Sequence, residues 1–269
     1  MTFLRKAGNW ALRKARKNFR DGFLQRVRTV SLCIGADGCR GGWIAAVIDN
    51  GKLRVEKYTD IASLVNAYPE FDSFLIDMVI GLQETAEDVR PDSYARNLIR
   101  QRSSTIFSSP SRQAVYEESD EEKRRANIAA LGKSLSSQAI AIFPKIREID
   151  EFMNCHREYR NIIQESHPEV CFARLNGNVV MSKKNTFEGM MERIRIMSQY
   201  LPGISSAYIL NMEKRLHCNA DDIIDAVCLA ITANLSMQGL TEPIPPVPQK
   251  DSRGLLMQMI IPKEECGTY

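Results

Sequence analysis

The 269-residue chain has no apolar run approaching the roughly 20 residues that a membrane-spanning helix needs. Its beginning also lacks the apolar stretch and small-residue cleavage site of a secretory signal peptide. No stable membrane insertion is expected, and the expected location is cytoplasmic. Seven cysteines are scattered through the sequence without a single CxxC pair. That argues against both a disulfide framework and a thiolate zinc site. There is no internal repeat. Hydrophobic residues make up 44% of the chain, which is ample for a core.

A net charge of +3 conceals an asymmetry. Residues 1–28 carry nine Lys and Arg against one acid, whereas residues 29–269 carry 27 against 32 acids. The segment 1–28, with Leu4, Ala7, Ala11, Ala15, Phe19 and Phe23 at near-helical spacing, is read as a basic extension outside the fold. Such a segment suits attachment to nucleic acid or an anionic membrane, a transit peptide, or an appended upstream stretch.

From residue 29 the patterning changes. TVSLCIGA (29–36), WIAAVID (43–49) and LRVEKYT (53–59) read as three strands, the last two joined at Asn50-Gly51, a hairpin signal. A helix at 61–68 follows, then SFLIDMVIGL (73–82), an apolar run suited to a strand buried on both faces. Residues 84–158 read as a helical insertion, with two helical pieces parted at Pro144. RNIIQES (160–166) is the fifth strand, and Pro168 opens a helix. Residues 219–237 form a long helix with Asn219 as its cap, and 241–269 is a Pro-rich tail with a connector at 242–254 before a last strand. The expectation is one α/β domain over 29–269, a mixed five-stranded sheet flanked by helices. That order matches the ribonuclease H-like fold.

Five acids contradict their apolar surroundings. Asp37 ends strand one, Asp77 lies late in strand four, Glu165 ends strand five, and Asp222 and Asp225 sit one helical turn apart on the long helix. In open α/β sheets, sites form beyond the carboxyl ends of the strands. Parallel strands one, four and five would bring their acids to one edge, with the helix pair facing them. Clustered carboxylates repel unless a cation neutralises them, and all-oxygen ligands suit Mg²⁺ or Mn²⁺. Asp37, Asp77, Glu165 and Asp225 are the expected metal ligands. Two ions roughly 3.5–4 Å apart would serve phosphodiester hydrolysis. The bland alternatives are turn formation for a strand-end Asp and capping for Asp222. His167 is either an acid/base group or the cap of the helix at Pro168. Arg40, Arg112 and Lys145 are candidate substrate contacts in an otherwise acidic body, with surface salt bridges as the alternative. Arg96 and Lys184 are weaker candidates of the same kind, and Trp43 is read as core.

The pieces GADGCRGGWIAAV, FLIDMVIGL, RPDSYARNLI, SSTIFSSPSR, GKSLSSQAIAIFPKIREID, ESHPEVCFARLNG, SKKNTFEGMMERI and DDIIDAVCLAITA run in order from about residue 34 to 233. Together they resemble domain-of-unknown-function family 429, predicted ribonuclease H-like nucleases related in fold to RuvC-type resolvases. The resemblance implies a metal-dependent nuclease acting on RNA or DNA, with Asp37, Asp77, Glu165 and Asp222 or Asp225 as its acids. Two other readings compete. One is an actin-like ATPase or kinase-type phosphotransferase, whose first hairpin GCRGG resembles, although the sequence has no second Asp-x-Gly hairpin. The other is a catalytically idle binding protein of the same fold.

Overall fold

A computed structural model describes residues 31–264; the basic segment 1–28 lies outside the described residues. The chain opens as a meander of β1 (Leu32–Cys39), β2 (Gly42–Asp49) and β3 (Lys52–Tyr58). Asn50 and Gly51 both take positive φ at the second turn, as the hairpin signal requires. Helix α1 (Ile61–Ala67) follows, held at its start by a reciprocal cap between Asp60 and Ser63. Strands β4 (Ser73–Ile76) and β5 (Ile163–Glu165) complete the sheet. Its order is β3-β2-β1-β4-β5, with β2 antiparallel to both neighbours and β1, β4 and β5 mutually parallel. The fold is therefore α/β, a mixed five-stranded sheet flanked by helices.

Between β4 and β5 lie α2 (Asp92–Leu98), α3 (Arg112–Tyr116), α4 (Asp120–Leu131), α5 (Ser137–Ala141) and α6 (Phe143–Cys155). Pro144 sits in the first turn of α6, where its missing N–H costs nothing. After β5 come α7 (Pro168–Asn176), α8 (Phe187–Ser198), α9 (Ser206–Leu216) and α10 (Ala220–Ser236).

Side-chain alternation along the strands sorts residues between two cores. Ile34, Ala36, Phe74 and Ile76 face one side, with Trp43 fully buried among them and Ile149 and Met153 of α6 covering it. Cys33 and Leu75 face the other side, against the apolar body of α10. Helix α10 approaches β1 so closely that a Cβ on Gly35 would lie 2.1 Å from the Ala230 nitrogen. By the same alternation, Asp37 and Asp77 point to the α10 side.

Several boundaries differ from the sequence reading, β5 being shortened from 160–166 to Ile163–Glu165, and three differences bear on the site and its surroundings. Strand β1 runs on to Cys39, so Asp37 lies inside it, paired with Ile44, instead of ending it. Strand β4 stops at Ile76, because side chains satisfy the backbone beyond it. Glu165 accepts from the Ile80 N–H, Arg90 donates to the carbonyls of Ile80 and Gly81, and Asp251 accepts from the Leu82 N–H. The Pro-rich connector is a strand, β6 (Thr241–Lys250), paired antiparallel with β7 (Leu256–Pro262) in a separate two-stranded sheet. Proline's fixed φ is compatible with extended backbone, and the pairing lapses between Ile244 and Gln249, where Pro245, Pro246 and Pro248 cannot donate.

Candidate active site

The alternation of β1 and the end of β4 place two carboxylates side by side. Ala36 pairs with Ile76, the Asp77 N–H donates to the Ala36 carbonyl (2.9 Å), and each aspartate follows directly. Helix α10 crosses the same face and supplies Asp222 and Asp225 one turn apart. All four acids line one cavity of about 550 Å³. Asp37 is only 9% exposed. Among the described residues, neither the Asp37 nor the Asp77 carboxylate accepts a hydrogen bond.

Burial pushes the Asp37 carboxyl well up, and Asp77 and Asp225 push it further. Asp77 is raised chiefly by burial, with His167 and Lys184 opposing. Burial also lifts Asp225, to about 6, against the pull of Lys184. Lys184 comes from the loop between α7 and α8, and its Nζ lies 2.8 Å from Asp225 Oδ2 and 3.5 Å from Asp221 Oδ2. Burial lowers the Lys184 ammonium, but Asp225, Asp37 and Asp221 outweigh it, and the net shift is upward. One tethered ammonium thus serves as counter-charge to several carboxylates.

Asp222 lines the cavity and also closes a capping box, accepting from the Asn219 N–H (3.2 Å). His167 precedes α7 at the cap position, yet its side chain makes no capping bond. Its Nδ1 is buried without a hydrogen-bond partner among the described residues. The cap alternative for this ring is therefore not realised.

Other expected residues are engaged elsewhere. Glu165 accepts both bonds of the Arg90 Nη2 (2.6 and 2.8 Å) as well as the Ile80 N–H, so it serves as the buried partner of a guanidinium. Glu165 also lines the cavity, and its carboxylate reaches the site already paired with Arg90. Arg112 does not face the cavity. Its guanidinium is buried among Asp150, Asp251 and Glu84 and ties the insertion to the turn before β7. Arg40 is exposed on the β1–β2 turn, away from the cavity lining. Lys145 does line the cavity, but it lies 4.2 Å over the Trp43 ring and donates to the Gly42 carbonyl.

The donors are chemically suited to a hard divalent cation: carboxylate oxygens without competing hydrogen bonds, beside an orphaned imidazole nitrogen. Their spacing is looser. Among the described residues, no three His, Cys, Asp or Glu side chains converge tightly enough to hold one ion as they stand. Lys184 now occupies the counter-charge position that such an ion would take.

Sequence reasoning missed Arg90 and gave Lys184 too little weight. Nothing in RPDSYARNLI marks a partner 75 positions on. In SKKN, only the fold decides which of Lys183 and Lys184 turns inward. SSPSRQ (108–113) reads as a loop, but nothing in it marks the neighbouring Phe107 as a cavity residue.

No curated protein and no solved structure matches the chain. A family model matches residues 35–250, a span that carries β1 through β6 and every acid of the cavity, and on it the chain belongs to DUF429, a family described as protein of unknown function.

Proposed function

We propose that this chain is a metal-dependent nuclease of ribonuclease H-like fold, hydrolysing phosphodiester bonds of nucleic acid. The observation that carries this reading is the group Asp37, Asp77 and Asp225, two buried and Asp77 half-buried, at one cavity with raised carboxyl pKa values. Acids in that state mark a site built to bind a cation. The sheet order, with β2 antiparallel inside an otherwise parallel core, supports the fold assignment. Asp37 and Asp77 would hold Mg²⁺ or Mn²⁺, with Asp225 joining them as Lys184 releases it. Bound there, such ions supply Lewis-acid stabilisation of the phosphoryl oxygens and the departing oxygen. His167, beside Asp77, would hand a proton to the leaving group. Lys184 keeps the floor of the site neutralised when no divalent ion is bound.

The test is a cleavage panel of single-stranded, duplex, hybrid and branched nucleic acids with Mn²⁺ and with a chelator. Product should appear with Mn²⁺ on at least one substrate, and Asp37→Asn or Asp77→Asn should lower its rate about a hundredfold or more. An inert panel, or an Asp77→Asn variant that cuts like the parent, sinks the assignment.

A further inference from the structure

The cavity has two unlike sides. Its floor is acidic, but Met78, Val79, Ile106, Phe107, Ile142 and Ile146 face it with apolar surface. Phe107 is 50% exposed, in a loop whose neighbours are fixed. Arg96 donates to the Ile106 carbonyl from Nε and Nη2 (3.1 and 2.7 Å) and to Ser108 Oγ (3.0 Å). On the other side, the Ser109 N–H and hydroxyl both reach the buried Asp92 (3.0 and 3.1 Å). The chain on both sides of Phe107 is thus anchored, and the ring stands half exposed at the cavity. An exposed aromatic ring on an anchored loop, beside a floor that a divalent ion would make suited to phosphate, is what stacking on a base requires.

The cavity's size and charge limit what can enter. About 550 Å³ lies within the range of sites that enclose a small ligand. Tracking a long duplex needs a row of cations directed at successive phosphates. Here Lys184 is bound to Asp225, Lys145 to the Gly42 carbonyl, and Arg102 to Glu169 and the Met181 carbonyl. A paired base, moreover, has both faces covered within the stack and cannot lie on Phe107.

We infer that the cavity takes one unpaired nucleotide, its base against Phe107 and its phosphate at the Asp37–Asp77 floor, so that the substrate class is single-stranded nucleic acid. The phosphate half rests on the nuclease reading, whereas the base half rests on the anchored loop.

Calorimetric titration of the full chain, with and without Mn²⁺, tests this with four probes. These are adenosine 5′-monophosphate, ribose 5-phosphate, a short single-stranded oligonucleotide and its blunt duplex. The monophosphate should bind roughly tenfold tighter than ribose 5-phosphate, and the single strand roughly tenfold tighter than the duplex. Phe107→Ala should erase the first difference and Phe107→Trp should keep it, both with melting temperatures near that of the parent. Ribose 5-phosphate binding as well as the nucleotide, duplex binding as well as the single strand, or no binding of either the monophosphate or the single strand overturns the inference. Base-dependent binding with an inert cleavage panel would sustain the base site and sink the nuclease reading. Cleavage with a preference for duplex would do the reverse.

Discussion

Lys184 is the residue on which the resting state of the cavity depends. Two carboxylates without hydrogen bonds, the buried Asp37 and the half-buried Asp77, stand beside a third, and burying such charges unpaired costs several kcal/mol. The ammonium of Lys184 offsets that cost, although its side chain is 41% exposed and solvent weakens the effect. Lys184→Met, which keeps the apolar stem, should lower metal-free stability by about 1–2 kcal/mol. It should also increase the stabilisation given by Mn²⁺, because the ion no longer competes with a tethered cation. Melting curves of parent and variant across a Mn²⁺ series check both; an equal or smaller metal response in the variant refutes the competition. The aspartates were legible in the sequence because each interrupts an apolar run. Arg112 was not, since an arginine in solvent and one among three carboxylates are spelled alike, and the carboxylates that distinguish them lie far along the chain.

Among the elements, β1 and α10 form the frame of the site. Their contact depends on Gly35, where an added Cβ would fall 2.1 Å from the Ala230 nitrogen and 2.2 Å from the Ala226 carbonyl oxygen. Both are helix backbone and cannot move aside as a flexible side chain would. Gly35→Ala should therefore cost about 3 kcal/mol or more and move Asp225 away from Asp37. A urea midpoint unchanged from the parent would contradict the close approach. The meander and the long helix were readable because hairpin turns, strand alternation and helix caps are local signals. The end of β4 was not, because the side chains that satisfy residues 80–82 come from Arg90, Glu165 and Asp251. Strand β6 was hidden for another reason: prolines that signal a connector also suit an edge strand.

Across the whole molecule, the raised carboxyls make stability depend on pH in an unusual direction. Asp225 is lifted from 3.8 to about 6, and Asp37 and Asp77 are lifted in the same sense. The folded state thus holds protons that the unfolded chain would release. This contribution is fully present below the unfolded values and is lost as the pH rises through about 6. Without metal, the melting temperature should fall across that window; with saturating Mn²⁺, the metal's own stabilisation should grow across it, since the ion binds the ionised form. Paired thermal scans over pH, with Mn²⁺ and with chelator, read both trends, and parallel curves would contradict them. The Arg112 network carries a different implication, for the order in which the chain is made. The guanidinium belongs to α3 of the helical insertion; of its partners, Glu84 precedes it, while Asp150 and Asp251 follow it by 38 and 139 positions. During synthesis it can meet Glu84 and Asp150 before β5 is made, but Asp251 only after α10. The network is therefore complete only after the sheet and α10 have emerged, and the tie between the insertion and the turn before β7 is the last part of it to form.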